Sequence, residues 1–153
     1  MDLQLTGTVI LVTGATSGIG LATAQVLAAE GARVAALARG DSGTPALPPG
    51  TLLIRADLTD AATPARAVAQ VMDRYGRLDG LVDNAAALTS RDSFAAIGDD
   101  QWHATFELNL HAAVRMTRAV LPLLESNPAG GALLHLAEAL RRLAPSDQRK
   151  DSR

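Results

Sequence analysis

The stretch Thr13-Gly14-Ala15-Thr16-Ser17-Gly18-Ile19-Gly20 is the part of this sequence most suited to binding chemistry. It follows a short apolar run, Thr8 to Thr13, and leads into a segment of helical periodicity. Glycines there let the backbone turn tightly and approach a pyrophosphate. A helix that starts there aims unpaired N–H groups and its positive end at the anion. Glycine also marks ordinary turns, so a plain connection is the competing reading. The position between strand and helix favours the phosphate site, with Gly14, Thr16, Ser17, Gly18, Ile19 and Gly20 as candidate contacts.

The remaining polar candidates lie mostly at predicted strand ends. Arg39 follows the second strand, Asp57 and Leu58 end the third, and Asn84, Ala85 and Ala86 follow the fourth. Asn109 lies inside a long helix, and His135 and Glu138 lie near the end of the fifth strand. Three residues apart on a regular strand, His135 and Glu138 would face opposite sides. A lone strand histidine is more often structural than catalytic. His103 and His111 have no partner at metal-ligand spacing, so neither a metal site nor a Ser-His-Asp set is expected.

These residues need strands and helices to position them. Near-continuous apolar runs at Thr8–Thr13, Arg33–Ala38, Leu52–Asp57, Leu78–Asp83 and Leu133–Ala137 suit strands covered on both faces. Helices are predicted over Gly18–Gly31, with Ile19, Thr23, Val26, Leu27 and Glu30 at helical spacing and Gly31 as C-cap. A second begins at Thr63-Pro64, N-cap then proline, and turns Val68, Val71, Met72 and Tyr75 to the sheet. A third runs from Gln101 to about Leu124 and is apolar around its girth. Between Gly40 and Gly50, Pro45, Pro48 and Pro49 predict a loop. Alternating strands and helices imply a doubly wound α/β Rossmann-type parallel sheet of order 3-2-1-4-5 over residues 1–140. The polar stretch 141–153 is expected to be a disordered tail.

Composition is compatible with this. The 153 residues are 48% hydrophobic and only 3% aromatic, so Ala, Val and Leu must build the core. A net charge of -2 gives no reason to expect nucleic acid or an anionic membrane as partner. No apolar run approaches the ~18 residues of a membrane span. The absence of cysteine and of a signal-like N-terminus leads us to expect a cytoplasmic location.

The spacing Gly-x-x-x-Gly-x-Gly resembles the Thr-Gly-x-x-x-Gly-x-Gly motif of short-chain dehydrogenases/reductases of the classical type. Four further segments resemble that family in order. Ala56-Asp57-Leu58-Thr59 is similar to its adenine-contacting turn, and Asp83-Asn84-Ala85-Ala86 to its Asn-Asn-Ala-Gly motif. Trp102 and Leu108-Asn109-Leu110 match the head and the active-site asparagine of its long helix. The resemblance covers roughly residues 5–143. It implies an NAD(P)(H)-dependent oxidoreductase that moves hydride between a nicotinamide and a carbonyl or alcohol carbon. Where NAD-specific members carry an Asp at the end of the second strand, this sequence has Ala38 then Arg39. That exchange favours NADP(H) over NAD(H), because a guanidinium pairs with a 2′-phosphate. A merely solvated Arg39 is the competing reading.

The resemblance also implies a Ser, a Tyr and a Lys four residues after the Tyr, and these are missing. The one Tyr is Tyr75 and the one Lys is Lys150, while Glu138 stands at the Ser position. Only Asn109 remains of the set, and it could equally serve the local backbone. A truncated family member with impaired catalysis is the leading expectation. The alternatives are a non-enzymatic dinucleotide-binding or partner module, and a truncated product without function. An uncovered fifth strand and the apolar helix 101–124 would invite homo- or hetero-oligomers. Arg39→Asp should weaken NADPH binding and shift preference toward NADH; equal affinities before and after, measured by titration, would remove the role given to Arg39.

Overall fold

In a computed structural model of the chain, the described residues are 3–40, 46–87 and 94–137. Pro45, Glu138, Lys150 and the polar tail from Arg141 lie outside them. The apolar runs form strands β1 (Val9–Thr13), β2 (Arg33–Ala38), β3 (Leu52–Arg55), β4 (Gly80–Asp83) and β5 (Ala132–His135). All are parallel, in the order β3-β2-β1-β4-β5. Four strands differ in their bounds from the sequence reading, β1 by beginning at Val9 rather than Thr8. β3 stops at Arg55 because Asp57 turns its carboxylate onto the Thr59 N–H and ends the extended run. β4 begins at Gly80, and β5 occupies Ala132–His135 rather than Leu133–Ala137.

Strand alternation divides the interior into two layers. Val9, Leu11, Leu37, Ile54 and Leu81 meet Ala67 and Val71 with Met116, Val120 and Leu124 on one face. Ile10, Val12, Val34, Ala36 and Val82 meet Ala24 on the other. Both faces of β1 are therefore covered, which is why the run is apolar at every position.

The first helix, α1 (Gly18–Ala29), turns its small residues inward. Ile19 and Val26 are 60% and 54% exposed, and Gly20 and Ala24 face the sheet instead. Helix and strand approach too closely for larger residues. Gly31 stands one place beyond the C-cap Glu30, with φ +88°, the left-handed geometry that glycine adopts at little cost. The second helix, α2 (Thr63–Tyr75), is capped at Ala62, not at Thr63. The Thr63 side chain is buried and donates to the Asp57 carbonyl at 2.6 Å, so it pins the preceding turn rather than the helix end.

The predicted single long helix is three pieces: α3 (Asp99–Phe106), a π turn (Glu107–His111) and α4 (Ala112–Glu125). Its apolar girth resolves into two faces. Ala112, Met116, Val120 and Leu124 are buried against the sheet, while Leu110, Val114 and Leu121 are exposed. At the head of α3, Trp102 lies between Phe94 and Phe106, with ring centroids 5.7 and 6.0 Å away. No helix among the described residues is long and apolar enough to cross a membrane.

Asp79 fastens the N-terminal edge of the sheet. Its carboxylate accepts from Val9 N–H at 2.8 Å, the Arg77 guanidinium at 2.6 and 2.9 Å, and the Asn127 amide at 2.6 Å. Its carbonyl accepts from Ala132 N–H at 3.0 Å, so one residue joins β1, β4 and β5. Burial works most strongly on this carboxyl and would raise its pKa, but Arg77, Val9 and Asn127 together hold it below the ordinary value. A depressed carboxyl stabilises the fold above its unfolded pKa of about 3.9, and that contribution is lost as pH falls through the lower folded value. Asp79→Asn should cost roughly 2 kcal/mol in urea unfolding at neutral pH, and the gap to wild type should close in acid; a gap independent of pH would contradict this.

Candidate functional site

The chain leaves β1 toward β2 and β3, and later returns on β1's other side as β4 and β5. At such a reversal the loops beyond the two central strands part and open a crevice. Here one hydroxyl holds the parting loops together. Thr13 Oγ1, fully buried, donates to Asp83 Oδ1 at 2.7 Å and accepts from the Asn84 and Ala85 N–H groups, each at 3.0 Å. The Asn84 amide donates back to the carbonyls of Thr13 and Gly14 at 3.0 and 3.3 Å.

The glycines are demanded by this closeness. A Cβ on Gly20 would lie 2.2 Å from the Gly14 oxygen and 2.5 Å from Asn84 Nδ2. Gly14 and Gly18 have φ of +65° and +53°. Ser17, the N-cap, makes no side-chain hydrogen bond to the helix end, so the first-turn N–H groups of α1 point outward without a side-chain cap.

The crevice is a groove of about 530 Å³. It brings together Gly14, Thr16, Ser17, Gly18 and Ile19 from the glycine turn, Arg39 after β2, Asp57 and Leu58 after β3, and Asn84, Ala85 and Ala86 after β4. Gly20 lies beneath this wall and makes room for it. Ala87 and Leu108, which the sequence reading did not single out as site residues, also line it. Asp57 is held below the ordinary carboxyl pKa by the Thr59 N–H first and the Thr59 hydroxyl next, with a smaller contribution from the nearby Arg39 charge. The groove therefore carries a fixed carboxylate beside an exposed guanidinium.

Asn109 lies on a different wall. Both ends of its amide are taken by Ala87, whose N–H donates to Oδ1 and whose carbonyl accepts from Nδ2, each at 2.9 Å. Its position on the π turn swings it out to clamp the β4 loop. The π turn is braced in turn by Glu107, which bonds Arg115 at 2.5 Å and His111 at 3.1 Å. Arg115 first, then His111, holds the Glu107 carboxyl below its ordinary pKa. Arg115 also donates to the Leu58 carbonyl at 3.2 Å, so α4 reaches the turn after β3.

Past Ala85–Ala87 lies a second cavity, of about 950 Å³, between α4 and β5. Asn109 lines it together with Leu110, Val114 and Leu121. On its floor His135 stands between a carboxylate and a threonine hydroxyl. His135 Nδ1 is 3.2 Å from Asp83 Oδ2, and His135 Nε2 is 3.3 Å from Thr117 Oγ1. A signal was available: Asp83 and His135 end adjacent strands and pair directly in register. Thr117, on a helix, gave none. The Tyr75 hydroxyl is occupied elsewhere, between the Val34 and Gly50 carbonyls at 3.3 Å each.

Residues 8–136 match the family model for short chain dehydrogenases. Over 128 residues the chain is 42% identical to a Streptomyces virginiae protein assigned as a ketoacyl reductase of the monensin polyketide synthase, covering 77% of this chain and 48% of that protein. Over 144 residues it is 32% identical to galactitol 2-dehydrogenase of Agrobacterium fabrum, covering 92% of this chain and 56% of the other. Among solved structures, the NADH-dependent reductase A1-R′ complexed with NAD superposes with a TM-score of 0.81 at 32% identity, covering 88% of this chain and 61% of its own. The chain thus spans about half the length of the curated relatives it matches.

Gly20→Ala should destabilise the fold by about 1–3 kcal/mol, as overpacking does, whereas Gly98→Ala, where a Cβ meets nothing within 4 Å, should not approach that cost. Equal urea midpoints for the two variants would contradict the close packing described for α1.

Proposed function

The chain belongs to the short-chain dehydrogenase/reductase family, and from that premise we propose that it binds a nicotinamide dinucleotide, NADP(H) in preference to NAD(H), as the nucleotide half of a carbonyl–alcohol oxidoreductase. The observation that carries this reading is the cradle at Gly14 and Gly20, where a Cβ on Gly20 would collide with the Gly14 carbonyl and Asn84, and one on Gly14 would press on Asn84 and Ala85 at 3.0 Å. Such a cradle suits a pyrophosphate set against the first turn of α1. Asp57 and Leu58 would hold the adenine end, and Ala85 and Ala86 the stretch that leads toward Asn109. The bound dinucleotide would supply or accept a hydride.

The preference for NADP(H) rests on Ala38 and Arg39. Ala38 ends β2 without a carboxylate to meet the ribose hydroxyls, and Arg39 lines the groove as an exposed cation. The NAD-bound relative, an NADH-dependent reductase, sets no such preference for this chain. This stretch by itself holds no Tyr-x-x-x-Lys pair and has Glu138 where the family resemblance puts the Ser, so taken alone it would turn over slowly, since loss of a general acid costs about 10²–10⁴ in rate.

A second reading, a partner module forming homo- or hetero-oligomers through the helix 101–124, is favoured by one observation. Leu110, Val114 and Leu121 are exposed along one side of that helix, beside the exposed β5. Val114→Glu should reduce any oligomer seen by sedimentation while leaving nucleotide affinity unchanged.

The primary test is a titration of the folded chain with NADPH and with NADH. We expect saturable binding of both, with NADPH tighter by tenfold or more, about 1.4 kcal/mol. Equal affinities would remove the preference, and no binding by a folded chain would overturn the nucleotide reading itself.

A further inference from the structure

Among the described residues, one buried side-chain nitrogen has no hydrogen-bond partner, Nε of Arg115. A buried N–H left unpaired weighs against the fold, so stability alone does not account for an arginine at this place. The far end of the same side chain is fully engaged. Its Nη2 donates to Glu107 Oε1 at 2.5 Å and to the Leu58 carbonyl at 3.2 Å. Glu107 and Arg115 are eight residues apart, a helical rise of about 12 Å, and their side chains close over the π turn between them. Arg115 does not line the cavity between α4 and β5; it reaches the other way, to the turn after β3.

The π turn carries one wall of the dinucleotide groove. Leu108 lines the groove directly, and Asn109 holds both backbone groups of Ala87 at 2.9 Å. The turn is kept open by a bond from the Ala112 N–H to the Glu107 carbonyl five residues back, a spacing that is rare inside helices. Tightened by one residue, it would swing Asn109 through about 100° and off Ala87. The turn after β3 is built separately. Thr63 donates to the Asp57 carbonyl at 2.6 Å, and Thr59 gives its N–H and hydroxyl to the Asp57 carboxylate. What Arg115 adds is therefore the distance from that turn to the π turn, not the shape of the turn itself.

We propose that Arg115 is a positioning residue for the dinucleotide: by tying the turn after β3 to the π turn, it fixes how far the adenine end of the groove stands from Ala87. The proposal rests on the dinucleotide reading, which supplies a ligand long enough to touch both ends. A ligand that meets only the adenine end does not depend on that spacing. Arg115 acts through Glu107 and Asn109 and does not itself line the groove.

The test compares wild type with Arg115→Met, Glu107→Ala and the double variant. It combines amide hydrogen exchange of the nucleotide-free chain with titrations of NADPH and of adenosine 2′,5′-bisphosphate. Ala87 N–H should exchange about tenfold faster in either single variant while Leu11 N–H in β1 keeps its rate. NADPH affinity should fall about tenfold in each single variant and no further in the double, with bisphosphate affinity held within about twofold. The two variants break the brace from opposite ends, so if one fails to fold the other decides. Five results overturn the proposal and leave the dinucleotide reading standing: Ala87 exchange unchanged, exchange quickened equally at Leu11, NADPH affinity unchanged, equal losses for the two ligands, or additive losses in the double variant. Failure of the folded wild type to bind NADPH overturns both.

Discussion

The arrangement at the top of the sheet depends on a single hydroxyl. Thr13 Oγ1 has one proton to give and two lone pairs to fill, and Asp83, Asn84 and Ala85 use all three. With no exposure to water, an unmet partner there would carry its full desolvation cost. Satisfying it fixes the distance between the loops after β1 and β4 at the point where the chain reverses direction across the sheet. The Asn84 amide then reaches the Thr13 and Gly14 carbonyls, and α1 must start close enough that only glycine fits at position 20.

The same network sets the relation between the two cavities. Asp83 belongs to the hub on one side and to His135 on the other, while the loop that follows it, Ala85–Ala87, is the common wall. The π turn keeps that wall in place from outside. An ordinary α-helical turn aims successive side chains 100° apart; widening it over Glu107–His111 leaves Asn109 paired to both backbone groups of Ala87. Glu107 and Arg115 carry the brace on to the Leu58 carbonyl, so the turn that faces the groove from β3 and the loop from β4 are held by one helical segment.

Strand order, the glycine turn and the polar residues that line the groove were legible in the sequence, because a doubly covered parallel sheet writes itself as unbroken apolar runs with polar residues at their ends. What was not legible came from close approach and register. Periodicity marked α1 as a helix without marking its inner face, and the available space selected Gly20 and Ala24 for it. Thr63 read as a cap because its hydroxyl and the following proline fit one; the nearer Asp57 carbonyl took the hydroxyl instead. Periodicity alone saw a continuous helix from residue 101, since a single widened turn shifts later side chains without breaking the apolar repeat. The Asp83–His135–Thr117 chain joins residues 52 and 18 positions apart, and only the strand register and the helix crossing bring them together.

The aromatic cluster at the head of α3 has an optical consequence. Trp102 is the sole tryptophan of the chain, wedged between Phe94 and Phe106 on an element continuous with the π turn. A domain of this length has a radius of gyration of about 15 Å, shorter than the reach of resonance energy transfer between an indole and a reduced nicotinamide. The molecule therefore carries its own donor fluorophore at a defined place, and its emission would register both the occupancy of the groove and the packing of the helix that braces it, with no label attached.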